Sequence, residues 1–232
     1  MNQIIKKGLV FYVLTTCLFI ISSTPALAQL VAFTGKDSNS PDEFAFVALQ
    51  TLTTGTQIFF TENDYDNTAG TFATSEGTLV FTVGATALTV GTVVQISETA
   101  ADTFTLTGND GTAVLVGGSS WSTTSGDPHY AFSASNGSDP WNTVTEVHAM
   151  LFATNAAFGT LDPSTGTSSH PNAIVVDNGF SGVQVAVDFT GDRTMATHVT
   201  LADSGNFTEG DGSMDLTFFN SVPVELMNFS IQ

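Results

Sequence analysis

Glu43-Phe44-Ala45-Phe46-Val47-Ala48-Leu49 and, after a short polar break, Thr56-Gln57-Ile58-Phe59-Phe60-Thr61 decide the fold. Both are short, aromatic and β-branched, and the signal of the chain after Gln29 is the period of two of a strand, not the 3.6 of a helix. The same signature returns in Thr78–Val83, Thr92–Ile96, Thr112–Val116, Ala173–Val176, Gly182–Phe189, Leu216–Phe219 and Val224–Leu226. Turn formers separate these runs: Thr54-Gly55, Gly108-Asn109-Asp110-Gly111, Ser125-Gly126-Asp127-Pro128, Asn136-Gly137-Ser138-Asp139-Pro140 and Gly210-Asp211-Gly212. Many short strands punctuated in this way predict an all-β fold, an antiparallel β-sandwich of Ig-like or jelly-roll-like type. Val144–Ala157 is readable either as a helix behind Asp139-Pro140 or as a strand, and its all-β surroundings favour the strand. Gly159–Pro171 is the longest expected loop.

Working outward to the N-terminus, residues 1–28 read as a secretory signal peptide. Lys6 and Lys7 give a basic start, Gly8–Ile21 is uncharged and apolar, and Ala26-Leu27-Ala28 is a small-x-small cleavage pattern. The apolar run falls short of the ~20 residues a membrane-spanning helix needs. Lipidation at Cys17 is disfavoured by Thr16, which stands where a small Gly, Ala or Ser is expected. Residues 29–232 are then one β-sandwich domain, expected to be secreted or held at the cell surface without membrane insertion. Cys17 is the chain's single cysteine, so cleavage leaves no thiol and no disulfide framework.

The 232-residue chain carries 4 Lys and Arg against 22 Asp and Glu, for a net charge of −18. Two of the four cations lie in the leader, leaving Lys36 and Arg193 for the domain. Nucleic-acid and anionic-membrane binding both need clustered cations and are excluded as expectations. The acids gather in loops, most densely in Glu62-Asn63-Asp64-Tyr65-Asp66-Asn67. Calcium takes six to eight hard oxygens, so Glu62, Asn63, Asp64 and Asp66 are the candidate ligands, with Asp211 and Asp215 as distant partners. The loop is not an EF-hand, because Ala69 stands where the turn glycine belongs. The alternative reading is that these Asp and Asn residues cap turns and keep an exported chain in solution.

His129, His148, His170 and His198 show no metal spacing. No G-x-S-x-G elbow is present, and Gly117-Gly118-Ser119-Ser120-Trp121 lacks the lysine of a phosphate loop. Most of the 19 Phe occupy alternating strand positions and belong to a core. Tyr65, Trp121, Tyr130 and Trp141 flank polar loops, where amphipathic rings could stack on a glycan or anchor a surface protein. The alternative is that they cover the ends of the sandwich.

Ala32-Phe33-Thr34-Gly35, Asp42–Val47, Gly55–Asn63, Glu76–Phe81 and Gly91–Val94 follow one another in order. Together they resemble a module common in secreted and surface proteins of bacteria, in which IAFTG, DDFAFV, GTxIxFTDN, GEGTLTW and GTVV recur. The likeness is strongest from Leu30 to Ser97 and looser from Asp127 to Phe189. The chain is also distantly similar to the lamin-tail type of Ig-like sandwich. The resemblance implies a sandwich on the outside of a cell, often one part of a larger adhesin or enzyme, and carries no catalytic residues. Val222–Phe229 resembles the LPVELxxF strand that precedes the sorting domain of type IX secretion substrates; its other reading is the last strand of the sandwich.

The leading functional expectation is an exported, non-catalytic sandwich for extracellular binding or adhesion, with calcium as its one candidate cofactor. The alternatives are a calcium-assisted polysaccharide hydrolase using an Asp/Glu pair, and a structural surface or matrix protein that self-associates through strand edges.

Overall fold

The computed structural model describes residues 29–39, 41–66, 68–123, 127–151, 173–176, 186–194, 196, 198–210 and 214–220. Among these residues fourteen strands follow in chain order: β1 Val31–Asp37, β2 Glu43–Ala48, β3 Gln57–Thr61, β4 Tyr65–Asp66, β5 Thr71–Phe72, β6 Thr78–Thr82 and β7 Val93–Ala100. Next come β8 Thr103–Thr107, β9 Thr112–Gly117, β10 His129–Ala134, β11 Val144–Leu151, β12 Ile174–Val176, β13 Ala186–Phe189 and β14 Phe207–Gly210. The one described α-helix, α1, is a single turn at His198–Ala202.

Two six-stranded sheets form an all-β sandwich, with strand orders β14-β13-β1-β2-β7-β8 and β12-β11-β10-β3-β6-β9. Pairing is antiparallel throughout these sheets except between β11 and β12, which run parallel. The core between the sheets is aromatic. Phe33, Phe44 and Phe46 of the first sheet meet Phe60 and Phe81 of the second, with ring centroids 4.9 Å apart for Phe44–Phe60 and 5.1 Å for Phe46–Phe60.

Ile58-Phe59-Phe60 is apolar without interruption because β3 is buried on both faces. Ile58 and Phe60 enter the inter-sheet core, while Phe59 belongs to a second cluster on the outer face of the second sheet. The β4–β5 hairpin lies over that face, adding Tyr65 and Phe72 to Phe59, Val80, Tyr130, Phe132, Val147 and Met150. Trp141, from the 3-10 turn Pro140–Asn142, packs against the same cluster. Its ring takes the space of a side chain at Gly117, where a Cβ would fall on the indole.

Most of the expected strands are present, and Val144–Leu151 is a strand. Leu216–Phe219 is a correction. Despite its alternation it forms no strand and runs as an irregular segment, tied to the fold where the Phe219 N–H donates to the Gly91 carbonyl at 2.9 Å. Residues 1–28, Gly159–Pro171, residues 182–185 and Val224–Leu226 lie outside the described residues. Among those described, no helix is long and apolar enough to cross a membrane.

Candidate functional site

A charged cluster lies inside the sandwich, and a β-bulge puts it there. Phe33 pairs with Phe46 and faces the core, so strict alternation would turn Gly35 inward and Lys36 to the outer face. The β1–β2 register shifts between Phe33 and Gly35, and beyond the shift Lys36 pairs with Phe44. Residues opposite each other across a strand pair share a face. Phe44 and Phe46 both face the core, so Lys36 does too, at 1% exposure. Re-aiming a side chain is a common use of a bulge. Gly35 fits this close pass of β1 over β13, since a Cβ there would stand 2.8 Å from the Val187 carbonyl oxygen.

The Lys36 ammonium donates to the Asp127 carbonyl at 2.8 Å. From the opposite sheet, just after β3, comes Glu62, which is 2% exposed. Neither Glu62 oxygen has a hydrogen-bond partner. His129 Nε2, at the start of β10, lies 3.5 Å from Glu62 Oε1 and 3.4 Å from the Thr123 hydroxyl. The imidazole is walled by Phe33, Phe44 and Trp121, with centroids at 6.2, 5.5 and 5.7 Å.

Burial dominates the ionisation of all three groups. It lowers Lys36 to about 8, against the attraction of Glu62, Asp127 and Asp42. It raises Glu62 to about 8; the nearby Thr123 hydroxyl and Lys36 work against that rise, while Asp127 and Glu76 add to it. His129 is held well below its usual value by burial and then by the Lys36 charge, so the imidazole is neutral at pH 7. A protonatable amine, a carboxylic acid and a neutral imidazole are therefore all buried inside the sandwich, the last two in contact.

Beside this cluster an open groove of about 540 Å³ is lined by Asp42, Glu98, Ser120, Trp121 and Ser122, with Pro41 and the Thr99–Ala101 bend on its walls. Asp42 Oδ2 accepts from the Thr123 N–H at 2.9 Å, and Glu98 Oε1 accepts from the Asp102 N–H at 2.7 Å. Asp102 holds a positive φ of 55° at the β7–β8 turn, and its Oδ1 accepts from the Trp121 N–H at 3.2 Å. Burial raises both groove acids, and the Asp42 and Asp102 charges push Glu98 further up.

The expected calcium ligands have separate duties. Asn63 joins the 61–63 and 75–78 segments: its amide donates to Thr61 Oγ1 and the Glu76 carbonyl, both at 2.8 Å, and its Oδ1 accepts from the Glu76 N–H at 2.8 Å. Asp66 caps the hairpin turn by accepting from the Thr68 and Ala69 N–H groups. Asp64 is exposed, Glu62 is buried, and Asp215 pairs with Arg193 at 3.2 Å. Asp211 lies outside the described residues. Among those described, no three Asp, Glu, His or Cys side chains gather in a cation-holding arrangement.

Of the expected aromatic recognition residues, Tyr65, Trp121 and Tyr130 are at most 2% exposed, and only Trp141 is half-buried. Trp121 still borders the groove, while Tyr65 and Tyr130 pack in the outer cluster. Of the histidines, His148 is engaged by Ser133 Oγ at 2.8 Å, and His170 and the His198 side chain lie outside the described residues. Lys36, His129 and the groove acids Asp42 and Glu98 are the residues that strand patterning missed. The one available signal was a lone lysine inside the apolar run Val31–Asp37. No family model, no curated protein and no solved structure matches this chain.

Proposed function

We propose that this chain is an exported, non-catalytic β-sandwich that binds an extracellular glycan at the groove between Asp42, Glu98 and Trp121. The carrying observation is the groove itself: open, lined by two carboxylates and two serine hydroxyls, and bordered by an indole. Carboxylate oxygens accept hydrogen bonds from neighbouring sugar hydroxyls, and serine hydroxyls both donate and accept. The leader-like residues 1–28 and the net charge of −18 support a place outside the cell.

The test is titration calorimetry of the protein against a panel of soluble polysaccharides, with Glu98→Gln and Ser122→Ala as variants. Glu98→Gln keeps an acceptor for the Asp102 N–H while removing the charge. Binding that weakens at least tenfold in either variant supports the reading. Binding that both variants leave unchanged, or no binding across the panel, overturns it.

One observation favours a second reading, a polysaccharide hydrolase. Asp42 and Glu98 share the groove, and burial first and then the Asp42 and Asp102 charges raise Glu98, the direction expected of a general acid beside a second carboxylate. New reducing ends in the same panel, lost in Glu98→Gln, would place this reading first.

A further inference from the structure

Where the described chain turns into the left-handed region it uses glycine, at Gly55, Gly70, Gly91, Gly108 and Gly118, with one exception. The exception is Asp102, whose φ is 55°. A Cβ makes this region costly, and aspartate enters it at more cost than glycine. What a glycine at 102 would lack is the carboxylate, and that group has a defined task. Asp102 does not line the groove, yet it is bonded to both of its walls. Its N–H donates to Glu98 Oε1 at 2.7 Å within the β7–β8 turn. Its Oδ1 accepts from the Trp121 N–H at 3.2 Å, 19 residues further along the chain. Trp121 lies between the two groove serines, Ser120 and Ser122.

We infer that Asp102 is the positioning residue of the groove, tying the Ser120–Ser122 wall to the Glu98 wall through its carboxylate. One residue thereby grips a side chain of β7, in the first sheet, and the backbone that follows β9, in the second. That backbone is also held at its two ends. The Ser119 hydroxyl donates to the Ser75 carbonyl at 2.8 Å, and the Thr123 N–H donates to Asp42 Oδ2 at 2.9 Å. Asp102 acts between those points, beside the serines. The indole of Trp121 is seated by packing, with centroids 5.5 Å from Phe44, 5.7 Å from His129 and 6.4 Å from Phe104. The carboxylate therefore governs the backbone that carries the serines rather than the ring. It sets how far the serine hydroxyls stand from the Glu98 carboxylate, the spacing that the hydroxyls of a sugar would meet. The tie stands on the two bonds and the backbone conformation, and its effect on affinity rests on the glycan reading above.

Two variants separate the carboxylate from the fold. Asp102→Gly suits the left-handed backbone and keeps the N–H for Glu98, but has no acceptor for Trp121. Asp102→Asn tolerates the same conformation and keeps an acceptor oxygen. The experiment compares both with the wild-type full chain by amide hydrogen exchange, thermal melting and calorimetry against the polysaccharide panel. In Asp102→Gly the Trp121 amide is expected to exchange about tenfold faster, and glycan affinity to fall about tenfold. Its melting temperature is expected to stay within about 4 °C of wild type. Asp102→Asn is expected to match wild type in all three. Unchanged exchange at Trp121 in Asp102→Gly overturns the inference, and so does an unchanged affinity for a glycan that the wild type binds. A melting temperature lowered by more than about 4 °C overturns it too, because the residue then serves the fold. An Asp102→Asn chain that behaves like Asp102→Gly removes the role from the acceptor oxygen and overturns it as well. A wild type that binds no polysaccharide removes the glycan reading alone, and the exchange comparison then decides the tie.

Discussion

The Arg193 guanidinium lies over the Phe219 ring, with Cζ 4.5 Å from its centroid, and so fastens the irregular 214–220 segment to the edge of the first sheet. Its Nη1 donates to the Thr217 carbonyl at 2.9 Å, and its Nη2 donates to the carbonyls of Asp215 at 2.9 Å and Phe189 at 3.2 Å. Arg193→Met leaves these acceptors without a partner. The expected loss is about 2–3 kcal/mol in urea unfolding. Arg193→Lys is expected to recover little of it, because an ammonium has no planar fork to span three carbonyls. A loss below about 0.5 kcal/mol, the usual scale of a neutral surface change, would show that the clamp is not holding the segment.

Gly117 and Trp141 occupy one space. Gly117→Ala is expected to destabilise by about 1–3 kcal/mol through overpacking against the indole. The double variant Gly117→Ala with Trp141→Leu should cost less than the sum of the single changes, since the smaller ring-free side chain makes room. Additive costs in a double-mutant cycle would refute the contact.

The pH profile of stability follows from the buried cluster. Folding raises Glu62 from 4.5 to about 8, so the folded state holds a proton that the unfolded state releases, and stability falls as pH rises through that window. Below about pH 6.5, His129 opposes this, because its lowered folded value makes stability fall as pH drops. Above pH 8, the lowered Lys36 reverses the slope until its unfolded value of 10.5. The melting temperature is therefore expected to fall from pH 6.5 to 8 and to recover towards 10. Melting curves across this pH range check the signs.

Calcium added after EDTA is a direct test of the acidic loop. Because Glu62 is buried, Asn63 is saturated, Asp66 caps a turn and Asp215 holds Arg193, no calcium-specific rise in melting temperature is expected from these residues. A rise of several degrees that magnesium does not reproduce, and that Asp64→Asn abolishes, would overturn this.

Much of the fold was legible because alternation is local. The short aromatic and β-branched runs at Phe44–Val47 and Leu79–Phe81, bounded by turn formers, mark strands locally, and the sandwich follows from the number of such runs. Leu216–Phe219 shows the same period without becoming a strand, since a ladder needs a partner that sequence patterning does not name. The site was less legible for the same reason. Lys36, Glu62 and His129 are far apart in the chain; the pairing of β3 with β10, the packing of the two sheets and the bulge in β1 bury them inside the sandwich. The bulge after Phe33 reverses the facing of Lys36, so alternation itself pointed the lysine the wrong way. Tyr65 and Tyr130 flank polar turns yet are buried, because the β4–β5 hairpin folds back over the sheet.

The burial of Lys36 and Arg193 has a practical consequence for handling the protein. Beyond residue 28 these are the chain's two basic residues and therefore its two trypsin cleavage points, and both are inside the fold, at 1% and 9% exposure. Digestion of that region has to wait for the chain to open. Its rate then reports the population of opened molecules, and the protein carries its own gauge of unfolding.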